Sequence, residues 1–312
     1  MRSFLNEIAI VVGCLFLPGA VGCSRGDKAT PAASASSTAP SAVADASPSP
    51  TASADSFPIP RESVDLVLNP GHFPPYDGPT GSVEGTVYVT GPAAPPVQLD
   101  AKKCPAAVDT YGKLFREGPA LPNGSRPLAD AAVVVVGYAG YYIAERDDAK
   151  KVAIGTDCAY PTRTITMTFG QRLEVSNEST MLFAPMIDQD TLPAVMVAPP
   201  LEKGDPVKLY PRKAAYFTIS DRMQPYVHED LYVFRHPLHT VTDLAGHYRI
   251  DGLPVGNLKV GVHHPGASAD GESPVEVVAN VVQRVDVTLT YAPKDQRPAK
   301  RIDGGRKEPW LN

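Results

Sequence analysis

Short apolar runs that alternate with a period of two, each stopped within a few residues by Gly, Pro or Asp, dominate this sequence from Ser82 onward. Side chains two residues apart share one face of a strand, so these runs predict strands that bury one face and turn often. They include Val83–Val89, Ala132–Val136, Ile165-Met167-Phe169, Leu173-Val175, Ala215-Phe217-Ile219, Leu231-Val233, Tyr248–Ile250, Leu258–Val262 and Val275–Leu289. The unbroken Val133–Val136 run predicts a strand buried on both faces. No segment carries a long 3.6-residue period, and 33 prolines in 312 residues disfavour a helical bundle. The reading is all-β, most simply two packed sandwiches.

The N-terminal segment has a different character. Arg2 precedes an apolar run from Ile8 to Val21, the layout of a secretory signal and too short for a spanning helix. Ala20-Val21-Gly22-Cys23 resembles a bacterial lipobox, which implies cleavage before Cys23 and lipidation of that residue; an ordinary cleaved signal is the simpler alternative. Acyl chains at Cys23 would hold the protein to a membrane without spanning it. Residues 29–55 are almost entirely Ala, Ser, Thr and Pro, a composition that cannot bury enough apolar area to offset its ordering entropy. At the other end, residues 293–312 carry six Lys/Arg against three Asp/Glu and read as a solvated tail or a weak contact for an anionic surface. The formal charge of −5 provides no general basic field, so nucleic acid is not an expected partner.

Cys14 and Cys23 lie in the export region, leaving Cys104 and Cys158 as the only thiols of the folded part. An even pair in an oxidising compartment is most simply a disulfide, and neither has close His or Cys neighbours for a metal.

Two stretches carry family resemblances. Thr242-Asp243-Leu244-Ala245-Gly246-His247-Tyr248-Arg249-Ile250, followed by Leu253-Pro254-Val255-Gly256-Asn257-Leu258, resembles the carboxypeptidase regulatory-like (transthyretin-like) β-sandwich pattern. There Asp243 and Gly246 make a hairpin turn and the aromatic–aliphatic pair packs inward. Val83-Glu84-Gly85-Thr86-Val87 resembles the opening strand of that module, which is usually an accessory without catalysis. Upstream, Cys158-Ala159-Tyr160-Pro161 and Gly170-Gln171-Arg172-Leu173-Glu174-Val175-Ser176-Asn177 resemble cupredoxin-type, methylamine-utilisation-like sequences.

Counted back from His236-Pro237, the cupredoxin copper ligands fall on Asp221 for Cys, Gln224 for His and Val227 for Met, with the earlier His near Phe183. A blue-copper centre needs a thiolate and two imidazoles, so the ordinary site is expected to be lost and no cofactor is expected. The resulting plan is a lipoprotein signal peptide over 1–22, a disordered linker over 23–57 and a Pro/Gly-rich lead-in over 58–81. A cupredoxin-like β-sandwich follows over 82–240, then a carboxypeptidase regulatory-like module over 241–292 to which the 82–90 strand can belong, and a charged tail over 293–312.

Other residues could carry chemistry. His228, His236, His239, His247, His263 and His264 invite a metal hypothesis, against which stands the reading of surface and turn histidines. Met181, Met186, Met196 and Met223 could hold Cu(I), though methionine more often fills apolar gaps. Asp221, Glu229 and Asp230 could be paired acids but read as ordinary loop carboxylates. No nucleophile-elbow, zincin or phosphate-loop motif occurs. The expected function is that of a membrane-tethered, non-enzymatic lipoprotein of the bacterial cell envelope, outer membrane in particular, that binds or scaffolds a protein or glycan partner. The alternative is copper handling or electron transfer through the Met and His residues.

Overall fold

A computed structural model describes residues 58–188, 205–267 and 269–293. Cys23, the signal and linker regions, Met196 and residues 294–312 lie outside the described residues. Helix α1 (Arg61–Leu68) opens the described chain, and one turn of helix, α2 (Val108–Tyr111), follows the first strand. Strands β1 (Thr80–Thr90), β2 (Arg126–Pro127), β3 (Ala132–Val136), β4 (Ala149–Ile154), β5 (Thr164–Thr168), β6 (Arg172–Asn177), β7 (Pro185–Ile187) and β8 (Val207–Leu209) make up the first half. The second half holds β9 (Tyr216–Asp221), β10 (His228–Phe234), β11 (His239–Val241), β12 (His247–Pro254), β13 (Gly256–His264), β14 (Ala269–Val277), β15 (Val282–Arg284) and β16 (Val287–Thr290). The fold is therefore all-β, as the alternation dictates; the single run read over Val275–Leu289 is cut into three strands by turns at Asn280 and Val285.

The strands form four sheets and two principal cores. Sheets β5-β10-β9-β7 and β4-β6-β8 enclose the first core, which includes Ile165, Met167, Leu173, Val175, Phe183, Ile219, Val227 and Leu231. Val64 of α1 and the α2 segment close its sides. Sheet β11-β3-β13-β14 faces β1 and its partners β12, β2, β15 and β16 across the second core, which includes Val83, Val87, Val133, Val135, Tyr248, Leu253, Val260 and Leu289. The cores do not follow chain order at residue 240: β1 and β3 pack in the second core, and β3 pairs with β13. Both faces of β3 are used, because Ala132 and Val134 meet Tyr232 and Phe234 of β10 in a small third cluster that joins the two sandwiches.

Local chemistry explains the turns. The Asp243 carboxylate accepts the N–H groups of Ala245 and His247, and Gly246 sits at φ +75°, so the chain reverses and puts Tyr248 and Ile250 into the core. At Gly85 a Cβ would lie 1.8 Å from the Val285 carbonyl oxygen, so only glycine lets β1 pass from β15 to β16 there.

Cys104 and Cys158 are bonded to each other, with Cα atoms 6.2 Å apart. The bridge ties the α2 segment to the loop before β5 and closes a span of 54 residues. Closing a loop of that length removes about 4 kcal/mol of unfolded-state entropy. Urea unfolding of the Cys104→Ser/Cys158→Ser variant should show a loss of about that size, and an unchanged midpoint would contradict the bridge's role.

Candidate functional site

The four positions aligned with copper ligands come together at one end of the first core. Asp221 ends β9 and is buried, and its carboxylate accepts the backbone N–H groups of Ala184 at 2.7 Å, Met223 at 2.8 Å and Gln224 at 2.9 Å. The Gln224 side-chain amide donates to the Leu182 carbonyl at 2.8 Å, and the Val227 N–H donates to the Gln224 carbonyl at 2.9 Å. Phe183 and Val227 are packed into the core. Burial raises the Asp221 pKa, and its three N–H donors pull it part of the way back. A type 1 copper takes a thiolate and two imidazoles. These positions offer a carboxylate already holding three N–H groups, one amide and two side chains without donor atoms, so the donor set does not fit that metal.

Beside this end lies a groove of about 570 Å³, lined by Lys102, Lys103, Met181, Leu182, Met223 and Tyr226. Leu182 is 41% exposed and Met223 48% exposed. Met181 and Met223 thus share a surface, whereas Met186 lies in β7.

The histidines are distributed differently from the surface-and-turn reading. His236, His263 and His264 are buried, and among the described residues no group of three or more His, Cys, Asp or Glu could hold a metal ion. His236 accepts the Leu238 N–H on Nδ1 and meets Tyr138 edge-on at 5.6 Å. His263 faces Asp270 across β14 at 2.8 Å, and His264 reaches the Ala129 carbonyl at 3.0 Å, so the neighbours do point to opposite faces. Burial alone holds His236 down to about 4, and burial chiefly holds His264 at about 4.

The carboxylates read as loop residues are instead strand residues: Asp221 ends β9, and in β10 Glu229 shares the face of Leu231 and Val233 in the first core while Asp230 lies on the other face, in a polar seam between the sandwiches. Glu229 is wholly buried in β10; one oxygen accepts the Tyr111 hydroxyl at 2.5 Å, and the other has no hydrogen-bond partner among the described residues. Asp230 accepts the hydroxyl of Tyr216. Burial raises the pKa of both acids, well above the ordinary range for Glu229.

The centre of the seam had no sequence signature. Asp130 accepts two hydrogen bonds from Arg116, at 2.7 and 2.5 Å, and the Arg163 N–H at 2.9 Å. Arg163 Nη1 donates to the carbonyls of Lys113 at 2.8 Å and Leu114 at 3.0 Å, and Arg116 donates to that of Pro161 at 3.1 Å. Each of these residues looks like an ordinary surface charge in a linear reading.

No family model matches the chain, and no curated protein does either. Among solved structures, the chain is similar to a reduced mutant of amicyanin, with 19% identity over 28% of this chain and 85% of that one and a TM-score of 0.24. It is similar to a purple cupredoxin from Nitrosopumilus maritimus, with 13% identity over 27% of this chain and 97% of that one and a TM-score of 0.22. It is also similar to a copper-containing nitrite reductase from Thermus scotoductus, with 16% identity over 33% of this chain and 25% of that one and a TM-score of 0.24. The all-β fold thus has cupredoxins among its structural neighbours. These likenesses concern fold alone.

The buried acids and imidazoles set opposite pH limits on stability. Glu229 keeps in the folded state a proton that the unfolded chain loses near 4.5, so its contribution falls as pH rises above that value. Urea midpoints measured from pH 5 to pH 9 should fall less steeply for Glu229→Gln than for the parent. His236 and His264 act in reverse: below 6.5 the unfolded chain takes up protons that the folded chain refuses until about 4. The same series continued to pH 4 should lose about 3 kcal/mol for each imidazole, and a flat acid limb would show that these rings are not held neutral.

Proposed function

We propose that this protein is a lipid-tethered, non-enzymatic protein of the bacterial cell envelope that binds or scaffolds a protein or glycan partner, built on a cupredoxin-like sandwich that works without copper. The observation that carries this reading is the Asp221 carboxylate holding three backbone N–H groups where the resemblance places a copper-binding cysteine. In a copper site the metal draws the two ligand loops together; here the loops at 182–184 and 221–227 are joined by the hydrogen bond that Asp221 accepts from the Ala184 N–H and the one that Gln224 donates to the Leu182 carbonyl, and Phe183 and Val227 fill the interior. Protein contacts do the closing, so the loop end needs no ion to hold its shape. The second sandwich, with the Asp243–Gly246 turn of a carboxypeptidase regulatory-like module, is read as an accessory module. The lipobox-like Ala20–Cys23 and the Ala/Ser/Thr/Pro spacer support placement outside the cytoplasm, with outer-membrane placement the working choice.

Metal analysis by mass spectrometry tests the copper part. The chain from Asp55 onward, made in an oxidising compartment and challenged with equimolar copper and zinc, should emerge folded and metal-free after desalting. Stoichiometric copper would overturn the reading in favour of copper handling, with Met181 and Met223 of the shared groove as the first ligands to replace. Fatty-acid labelling tests the tether: the parent should incorporate label and Cys23→Ser should not, and equal labelling of the two would remove Cys23 as the anchor.

A further inference from the structure

Two grooves of the first sandwich differ in charge and lie at opposite ends of it, and the strand register fixes their places. The hairpin loop 222–227 joins the end of β9 to the start of β10, with Ser220 opposite His228. β5 runs parallel to β10 and ends with Thr168 beside Phe234, so the turn at 169–171 lies at the far end, about 20 Å of strand away. Met223 and Leu182 belong to the first end, where the Gln224 side-chain amide reaches the Leu182 carbonyl. Helix α1 belongs to the second, since a Cβ on Gly170 would lie 2.6 Å from a Val64 methyl.

The groove beneath α1, of about 590 Å³, is acidic: five carboxylates line it against Arg61 and His72. Asp65 is answered by Arg61 at 3.4 Å, and Glu145 is occupied by the Thr168 hydroxyl and two backbone N–H groups. Glu62, Asp147 and Asp148 are exposed, and among the described residues none of the three has a cationic partner. Asp147 and Asp148 serve the fold through their carbonyls, which accept Gln171 Nε2 at 3.0 Å and the Arg172 N–H at 3.1 Å. Leu66, 55% exposed, lines the same groove.

The groove at the loop end has the opposite character. Among the described residues Lys102 and Lys103 line it with one carboxylate, Asp100, and Arg222 precedes Met223 in the loop. All three cations are exposed, and Lys103 and Arg222 have no anionic partner among the described residues. Lys102 meets Asp100 at 3.9 Å with both side chains mostly in solvent, a pairing that contributes little. Leu182 and Met223 are exposed beside these cations.

Each end thus presents unanswered charge of one sign beside exposed apolar side chains, and each is the complement of the other. We propose that the basic loop end of one copy docks in the acidic groove beneath α1 of a second copy. Lys102, Lys103 and Arg222 then answer Glu62, Asp147 and Asp148, and Leu182 and Met223 cover Leu66. Because the two surfaces lie at opposite ends of one sandwich, the contact is head to tail. It leaves one groove and one loop end free on every pair, so copies add in a row. Exposed charges dominate the contact, so salt screens it. This inference names the partner in the binding reading above and rests on that reading.

Sedimentation of the mature chain from residue 23, with Cys23→Ser so that no acyl chain drives association, tests the contact. At low salt the parent should sediment as a monomer at about 10 μM and as growing oligomers toward about 1 mM, the range of weak specific contacts, and high salt should return it to monomer. Lys102→Glu/Lys103→Glu and Asp147→Lys/Asp148→Lys, each checked for the parent's urea midpoint, should each stay monomeric. Mixed, they should form a one-to-one dimer that grows no further, because the intact groove of the first receives the intact loop end of the second. Both reversals in one chain should restore the oligomers. A folded, metal-free parent that stays monomeric throughout would overturn this contact and leave the broader binding reading standing. Oligomers that survive either reversal, or reversed variants that stay apart when mixed, would overturn it too. Binding to anionic vesicles that depends on Lys102 and Lys103, without self-association, would give the loop end to a lipid surface and overturn it equally.

Discussion

Asp130 holds the molecule together at the point where its two sandwiches meet. Its backbone stands at φ +62°, a conformation that costs a non-glycine residue about 1 kcal/mol or more. Two charge-assisted hydrogen bonds from Arg116 and one from the Arg163 N–H compensate for that conformation. Arg116 follows Phe115 of the second core, and Arg163 leads into β5 of the first, so one carboxylate fixes the distance between the sheets. Thr242 completes the arrangement by accepting the Ala131 N–H and donating to the Leu128 carbonyl on either side of Asp130. The pair is nearly dry, with side-chain exposures of 14% and 2%, so losing either partner would leave a buried charge without compensation.

The rest of the seam follows from that choice of chemistry. Once an ion pair lies between the sandwiches, its surroundings must satisfy polar groups, and tyrosines do most of this. Tyr111 donates to Glu229 and accepts the Tyr160 N–H at 3.3 Å, while Tyr216 donates to Asp230. Each pairs an apolar body with a hydroxyl that satisfies a carboxylate. The apolar contact of Ala132 and Val134 with Tyr232 and Phe234 lies in the same interface, so β3 and β10 join the halves by packing where the clamp joins them by charge.

The loop end of the first sandwich is held by one buried carboxylate. Asp221 gathers N–H groups from both loops, and the volume left over is taken by Phe183 and Val227. The outcome is a loop end with a packed interior that carries exposed Leu182 and Met223 on its surface.

Strand formation, the turn at Asp243–Gly246, and the Cys104–Cys158 pair were legible in the sequence because each depends on residues close in the chain or, for the cysteines, on there being a single possible pairing. Period-two burial is a local property, and a glycine at positive φ announces its turn. The short helix α1 and strands β4, β7, β8 and β11 were not legible, since they are brief and amphipathic only in the context of the neighbours that cover them. Positions 221, 224 and 227 could be named in advance by register against His236-Pro237, and 183 by its place after Asn177, but what those residues do there could not. Tertiary structure alone decided that Glu229 and Asp230 are buried acids, that His236, His263 and His264 are interior, and that Arg116, Asp130 and Arg163 meet. The physical reason is that burial and charge pairing depend on contacts between segments tens to more than a hundred residues apart, and no local pattern encodes which charge will lose its water.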